Sequence, residues 1–197
     1  MTQDAGLPGV GHRFAHDLEG KPNAPAALIL LSTAGRNFGA LVTDQVAASL
    51  KRNNVTGAAA KPYEDYVPRA IDQVIKQGTA PPNPPQGLGP LFNPSALKLL
   101  QVEFALEPAS LLSAYTGPVL VIQGEKDIQI SPTKDFPVLQ STLKQRKKGT
   151  YKALVVLTAS HNLKRVENEN AEPGFTGPVV PNALSTISDW LKQTLKK

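Results

Sequence analysis

The sequence predicts an α/β fold, with about three parallel strands and flanking helices. Three observations predict it. AALILLS (26–32), VLVI within GPVLVIQG (117–124) and YKALVVLTAS (151–160) are short apolar runs rich in branched residues, the texture of strands buried in a parallel sheet. Between and after them, apolar residues recur every three or four positions, the period of an amphipathic helix. In the last third the two kinds alternate, strand–helix–strand–helix, and strands joined through helices pair in parallel by right-handed crossovers.

Taken in order, residues 1–24 scatter Gly, Pro, Asp and His without periodicity and read as a loop or tail. A first strand near 27–32 is expected to be buried on both faces. In NFGALVTDQVAASLKRN, Phe38, Leu41, Val42, Val46 and Leu50 share one helical face. DYVPRAIDQVIKQG aligns Val67, Ala70, Ile71, Val74 and Ile75, with Pro68 near the first turn and Gly78 at the end. TAPPNPPQGLGP (79–90) is too rich in Pro and Gly for regular structure and reads as a linker or lid loop. NPSALKLLQVEFAL opens with Asn93 as N-cap and Pro94 in the first turn, and EPASLLSAY is a shorter helix that also opens at a proline. After a strand near 119–123, SPTKDFPVLQSTLKQRKK reads as a helix. A strand near 153–157 follows, and NALSTISDWLKQTLKK is expected to close the chain as a helix with Leu184, Ile187, Leu191 and Leu195 inward. RVENENAEPGFTGPVVPN lies between as a loop, and no internal repeat is visible.

Composition narrows the chemistry. A chain of 197 residues with 41% hydrophobic and 19% charged residues is long enough for one domain with a full core, or two very small ones. It has no cysteine, which excludes disulfides, Cys-ligated zinc and a thiol nucleophile. Of the three histidines, His12 and His16 in GHRFAH have zinc-ligand spacing but lack the intervening acid of the metalloprotease motif, so no metal or other cofactor is expected. The longest apolar run is too short to cross a bilayer, so no membrane partner is expected. No basic segment followed by an apolar core marks a signal peptide, which leaves localisation unassigned and cytoplasmic by default. The net charge of +5 is concentrated in LKQRKKGTYK (143–152) and LKQTLKK (191–197). Both resemble solvated helix ends, where cations are favoured, and without interleaved aromatics or a recognition helix no nucleic-acid partner is expected.

Two loops carry chemistry. GEKDIQI (124–130) follows one buried run and presents Asp127, and ASHNLK follows the next and presents His161. Singly, each has an ordinary reading, Asp127 as a turn former and His161 as a loop residue. Together with ALILLSTAGR, LFNPSALKLL and EPASLLSAYTGPVLVIQGEKDIQISPTKD they resemble the C-terminal part of an α/β-hydrolase, over residues 25–197. The resemblance implies a partial α/β-hydrolase fold with a cap or lid insertion at 36–114, and residues 1–24 outside the family pattern. It implies a small-molecule acyl substrate, Asp127 as the acid of a catalytic triad, and His161 as its base. Phe38, Leu41, Phe92 and Leu97 would line an acyl pocket or simply pack the core.

The same resemblance asks for a serine in a G-x-S-x-G turn before ALILLSTAGR. That place holds GVGHRFAHDLEGKPNAP: Arg13 stands where the serine would be, Ala15 where the second glycine would be, and no serine precedes Ser32. Ser32 ends an apolar run without a glycine elbow, and Ser131 and Ser160 read as local hydrogen-bonders. The expectation is therefore either an acyl hydrolase of the α/β-hydrolase type or a catalytically inactive fragment or pseudoenzyme, for which a partner chain is one way to complete the site. A three-stranded sheet would also leave a strand edge open to self-association. A basic nucleic-acid-binding module is the third and least supported class.

Overall fold

The computed structural model describes residues 25–167 and 177–195. They form two compact units, one of residues 37–107 and one of residues 25–36 with 108–195.

The second unit holds the sheet. Strands β1 (Leu28–Leu31), β2 (Val119–Gly124) and β3 (Tyr151–Val156) lie in the order β1-β2-β3. Both pairings are parallel, from Leu28↔Val119 to Leu31↔Ile122 and from Val119↔Tyr151 to Gly124↔Val156. With the short helix Pro108–Ala114 before β2, Phe136–Gln145 between β2 and β3, and Pro181–Thr194 at the end, this is an α/β fold.

Burial is uneven across the sheet. Every residue of β2 is buried, and its side chains alternate between two apolar layers. Val119 and Val121 pack with Leu30, Leu112, Tyr115, Phe136, Leu139 and Leu143, whereas Leu120 and Ile122 pack with Val156, Leu163, Ala183 and Trp190. β1 departs from the sequence expectation: only Leu30 is buried and Leu31 is 44% exposed. Among the described residues β1 pairs on one side alone, so it has the half-covered surroundings of an edge strand.

The terminal helix also differs. Its buried residues are Ala183, Thr186 and Trp190, with Ile187 and Leu191 partly covered, while Leu184 and Leu195 are 53% and 51% exposed. Trp190 has more apolar area to hide than either leucine, and burying it turns the expected face by about one residue.

In the first unit the helices are α1 (Phe38–Arg52), α2 (Lys61–Gln77) and α3 (Leu97–Ala105), and those of the sheet unit are numbered onward as α4 (Pro108–Ala114), α5 (Phe136–Gln145) and α6 (Pro181–Thr194). Asn37 caps α1 by accepting from the Ala40 N–H at 2.9 Å, and Asn93 opens a 3₁₀ turn, Pro94–Ala96, ahead of α3. α2 begins earlier than the pattern suggests, at Lys61, with Pro62 in its first turn, so Pro68 lies inside the helix. Ile75 is exposed there, and Tyr66 joins Val67, Ala70 and Val74 on the buried side. Gly78 ends α2 in the left-handed conformation, φ 68°, where a glycine is favoured. Residues 79–92 are irregular as expected, yet Leu88 and Phe92 are buried in this unit's core and Tyr66 Oη donates to Pro81 O at 2.8 Å. Leu41 and Phe92 are enclosed, at 1% and 5% exposure, which makes them core residues rather than open pocket wall.

One buried acid organises the exit of β1. Asp135 is fully enclosed, and its Oδ1 accepts from the Gly35 and Arg36 N–H groups at 3.2 and 3.1 Å. The Arg36 guanidinium closes on both oxygens, Nε to Oδ1 at 3.1 Å and Nη2 to Oδ2 at 2.8 Å. Gly35 is required by proximity, because a Cβ there would overlap the Asp135 carbonyl oxygen. Removing the acid strands a half-buried guanidinium and two N–H groups, so Asp135→Ala is expected to lower unfolding stability by about 3 kcal/mol in urea titration. An unchanged midpoint would show that β-pairing alone holds the turn.

Candidate active site

The acid loop and the histidine loop are joined by backbone before their side chains meet. β2 ends at Gly124 beside Val156, the last residue of β3. Beyond that pair the Glu125 N–H donates to Val156 O at 3.0 Å and the Lys126 N–H to Ala159 O at 2.9 Å. The Thr158 N–H returns a bond to Glu125 Oε2 at 3.1 Å. Gly124 permits the approach, since a Cβ there would overlap the carbonyl oxygens of Ala159 and Ser160.

The histidine loop is a tight reversal. Ser160 N–H donates to Lys164 O at 2.9 Å, Leu163 N–H to Ser160 O at 3.0 Å and Val166 N–H to Thr158 O at 2.8 Å. Thr158 and Leu163 adopt positive φ, 60° and 54°, which turns the chain through His161. Val180 N–H to Leu163 O at 2.8 Å ties the base of the loop to the start of α6.

Within this frame Asp127 and His161 are in direct contact, His161 Nδ1 to Asp127 Oδ2 at 3.0 Å. The rest of the carboxylate is fully engaged. Oδ1 accepts from the Gln129 and Ile130 N–H groups at 2.8 and 2.9 Å, and Oδ2 also accepts from Gln123 Nε2 at 2.7 Å. The acid side chain has no exposure, whereas the imidazole is 29% exposed and open to a small molecule. With the carboxylate ionised, the 3.0 Å contact needs a proton on Nδ1, which leaves Nε2 as the basic atom. Two readings of Asp127 thus hold together: it closes its own turn and it orients a histidine.

Sequence reasoning missed Gln123, fully buried at the end of β2. The signal was a polar residue in an otherwise apolar strand, VLVIQG. Its amide also donates to Ile130 O at 3.3 Å, so it braces both ends of the acid turn.

The serines resolve differently. Ser131 Oγ accepts from the Lys134 N–H at 3.2 Å, and Ser160 Oγ from the Lys164 N–H at 3.3 Å, both local. Ser32 is 5% exposed with φ 47°, and its Oγ has no hydrogen-bond partner. Asp127 is the one hydrogen-bond partner of His161 among the described residues. His12, Arg13, Ala15 and His16, and with them the expected elbow position and zinc-like spacing, lie outside the described residues. Among the described residues no cluster of three metal-ligating side chains occurs, and no helix is long and apolar enough to cross a membrane.

No family model matches this chain, and no curated protein matches its sequence. Among solved structures it is similar to a chain described as a non-heme bromoperoxidase of Mycobacterium tuberculosis H37Rv, at 17% identity and a TM-score of 0.45. The likeness covers 94% of this chain and 65% of that one, so the chain spans about two thirds of the length of the structure it matches. A likeness of this degree assigns no activity.

The dependence of the dyad on close backbone approach is testable. Gly124→Ala is expected to displace the Ala159–Ser160 backbone, costing about 1–3 kcal/mol by the overpacking route. The same variant should lose the downfield Nδ1 proton resonance expected of a histidine held against a buried carboxylate. A retained resonance would show that the loop absorbs the methyl elsewhere.

Proposed function

We propose that Asp127 and His161 are the acid and base of an acyl-transfer site of the α/β-hydrolase type, one that acts on ester or related acyl bonds. The observation that carries this reading is the 3.0 Å contact between a partly exposed imidazole and an enclosed carboxylate whose remaining lone pairs are already filled. Such a carboxylate holds one tautomer, and stabilises the imidazolium that forms when Nε2 takes a proton from an attacking hydroxyl. Its position after β2, with the histidine after β3, supports the same reading, because loops at the carboxyl ends of parallel strands converge on one sheet edge. The segment 36–114, on this reading, is the cap that would shape an acyl pocket.

Among the described residues no hydroxyl is hydrogen-bonded to His161. No G-x-S-x-G occurs, and Ser32, Ser131 and Ser160 are buried or bonded elsewhere. We therefore propose that the isolated chain does not turn over esters, and that turnover needs a hydroxyl nucleophile supplied from outside it. Without a nucleophile, a hydrolase site of this kind falls by several orders of magnitude, to the residual effect of binding and oxyanion donors.

Two measurements test the two halves. Asp127→Asn reverses one donor–acceptor relation at Oδ2, and is expected to abolish the Nδ1 proton resonance of His161; its survival would sink the dyad. Incubation with a fluorophosphonate probe and short-chain p-nitrophenyl esters should give no labelling and no turnover above His161→Ala. A labelled serine whose reactivity vanished in His161→Ala would overturn the inactive half and place the nucleophile in this chain.

A further inference from the structure

The first unit holds a cleft of about 260 Å³ whose lining falls entirely within residues 38–91. We propose that this cleft binds a neutral small molecule, an apolar body of roughly ten carbon atoms carrying one hydrogen-bonding group.

Three segments build it. α1 contributes Phe38, Val42 and Val46, α2 contributes Tyr63, and the irregular segment after α2 contributes Gln86 and Leu88. Val42 and Leu88 are buried in this unit's core and form the floor. Phe38 is held by stacking on Phe104, with ring centroids 5.5 Å apart. Phe38, Val46 and Leu91 pack against the same core yet stay only half-buried, so each keeps apolar surface toward the cleft. Covering that surface is the favourable step in binding an apolar body.

The wall contributed by the proline-rich segment is preformed. Pro81, Pro82, Pro84 and Pro85 precede Gln86, and a segment already restricted has less freedom to lose when a ligand arrives. Tyr66 Oη ties its start by donating to Pro81 O at 2.8 Å. Its end is pinned by Leu88 N–H to Pro85 O at 3.0 Å and Phe92 N–H to Leu88 O at 3.2 Å. Between them Gly87, at φ 86°, makes the left-handed turn from exposed Gln86 to buried Leu88.

Size and charge give the ligand class. An apolar cavity of about 150 Å³ holds one benzene, so a cleft of about 260 Å³ suits a body of roughly ten carbons. No charged side chain lines it. An ionised ligand would leave water without meeting a counter-charge, and that cost selects a neutral one. Polar groups stand at the rim, as is usual where a few of them orient a ligand in an apolar site. Gln45 is already engaged, and Ser49 Oγ accepts from Asn53 Nδ2 at 3.5 Å. The half-buried Tyr63 hydroxyl and the exposed Gln86 amide make no side-chain hydrogen bond among the described residues, so the ligand's polar group falls to them.

The test is equilibrium dialysis of the whole chain at neutral pH against naphthalene, 2-naphthol and 2-naphthoate. Naphthalene and 2-naphthol are expected to saturate a single site, 2-naphthol about threefold to tenfold more tightly for its one hydrogen bond. The ionised 2-naphthoate should bind more weakly than 2-naphthol by about tenfold or more. Val46→Phe puts a ring into the cleft and should weaken both neutral probes by about tenfold or more. Tyr63→Phe, a milder change, should bring 2-naphthol down toward naphthalene and leave naphthalene as it was. Leu99→Ala removes exposed apolar surface outside the cleft and should change neither. Absence of saturable binding by the neutral probes, an equal loss in Leu99→Ala, or 2-naphthoate binding as tightly as 2-naphthol would overturn the proposal. His161→Ala should bind all three probes as the parent chain does, so the outcome is separate from the fate of the Asp127–His161 reading.

Discussion

Two enclosed carboxylates in one connection, residues 125–135, hold the loops at the carboxyl edge of the sheet. Asp127 reaches sideways to the loop after β3 and Asp135 to the turn after β1. Donors meet the oxygens of both, and an enclosed carboxylate without them would be among the most costly things a fold can contain. One donor to Asp127, the His161 imidazole, and the Gly35 and Arg36 donors to Asp135 come from neighbouring strands' loops, so satisfying the charges also aligns those loops. The central strand, buried throughout, supplies the rigid origin from which both acids project.

How much of this was legible in the sequence follows from how local each signal is. The strands announced themselves because apolar branched runs are readable without knowledge of neighbours. Asp127 and His161 were legible for a related reason, each standing just past such a run. Asp135 was not, because nothing in SPTKDF distinguishes a helix-start acid from one that accepts from a turn 100 residues earlier in the chain. Gln123 looked like an incidental polar residue until Asp127 was seen to need its amide.

The misread faces share a cause. For β1 the sequence showed hydrophobicity, but burial depends on how many strands pair with it, and among the described residues only β2 does. For α6 the pattern offered two overlapping stripes one residue apart, and Trp190 decided between them. Pro68 read as a helix opening because proline favours that place, yet Pro62 already occupied it. In each case a residue's fate was set by a competitor elsewhere in the chain.

The contact between Asp127 and His161 has a consequence for how such chains change over time. It closes a turn, neutralises an enclosed charge and keeps two loops in register whether or not a substrate ever arrives. Substitutions there are opposed by folding alone. A nucleophile on a strained, exposed turn has no such protection and can be lost without unfolding anything. On the proposed acyl-transfer reading, a lineage drifting away from catalysis would lose the acid and histidine last, because stability rather than chemistry maintains them.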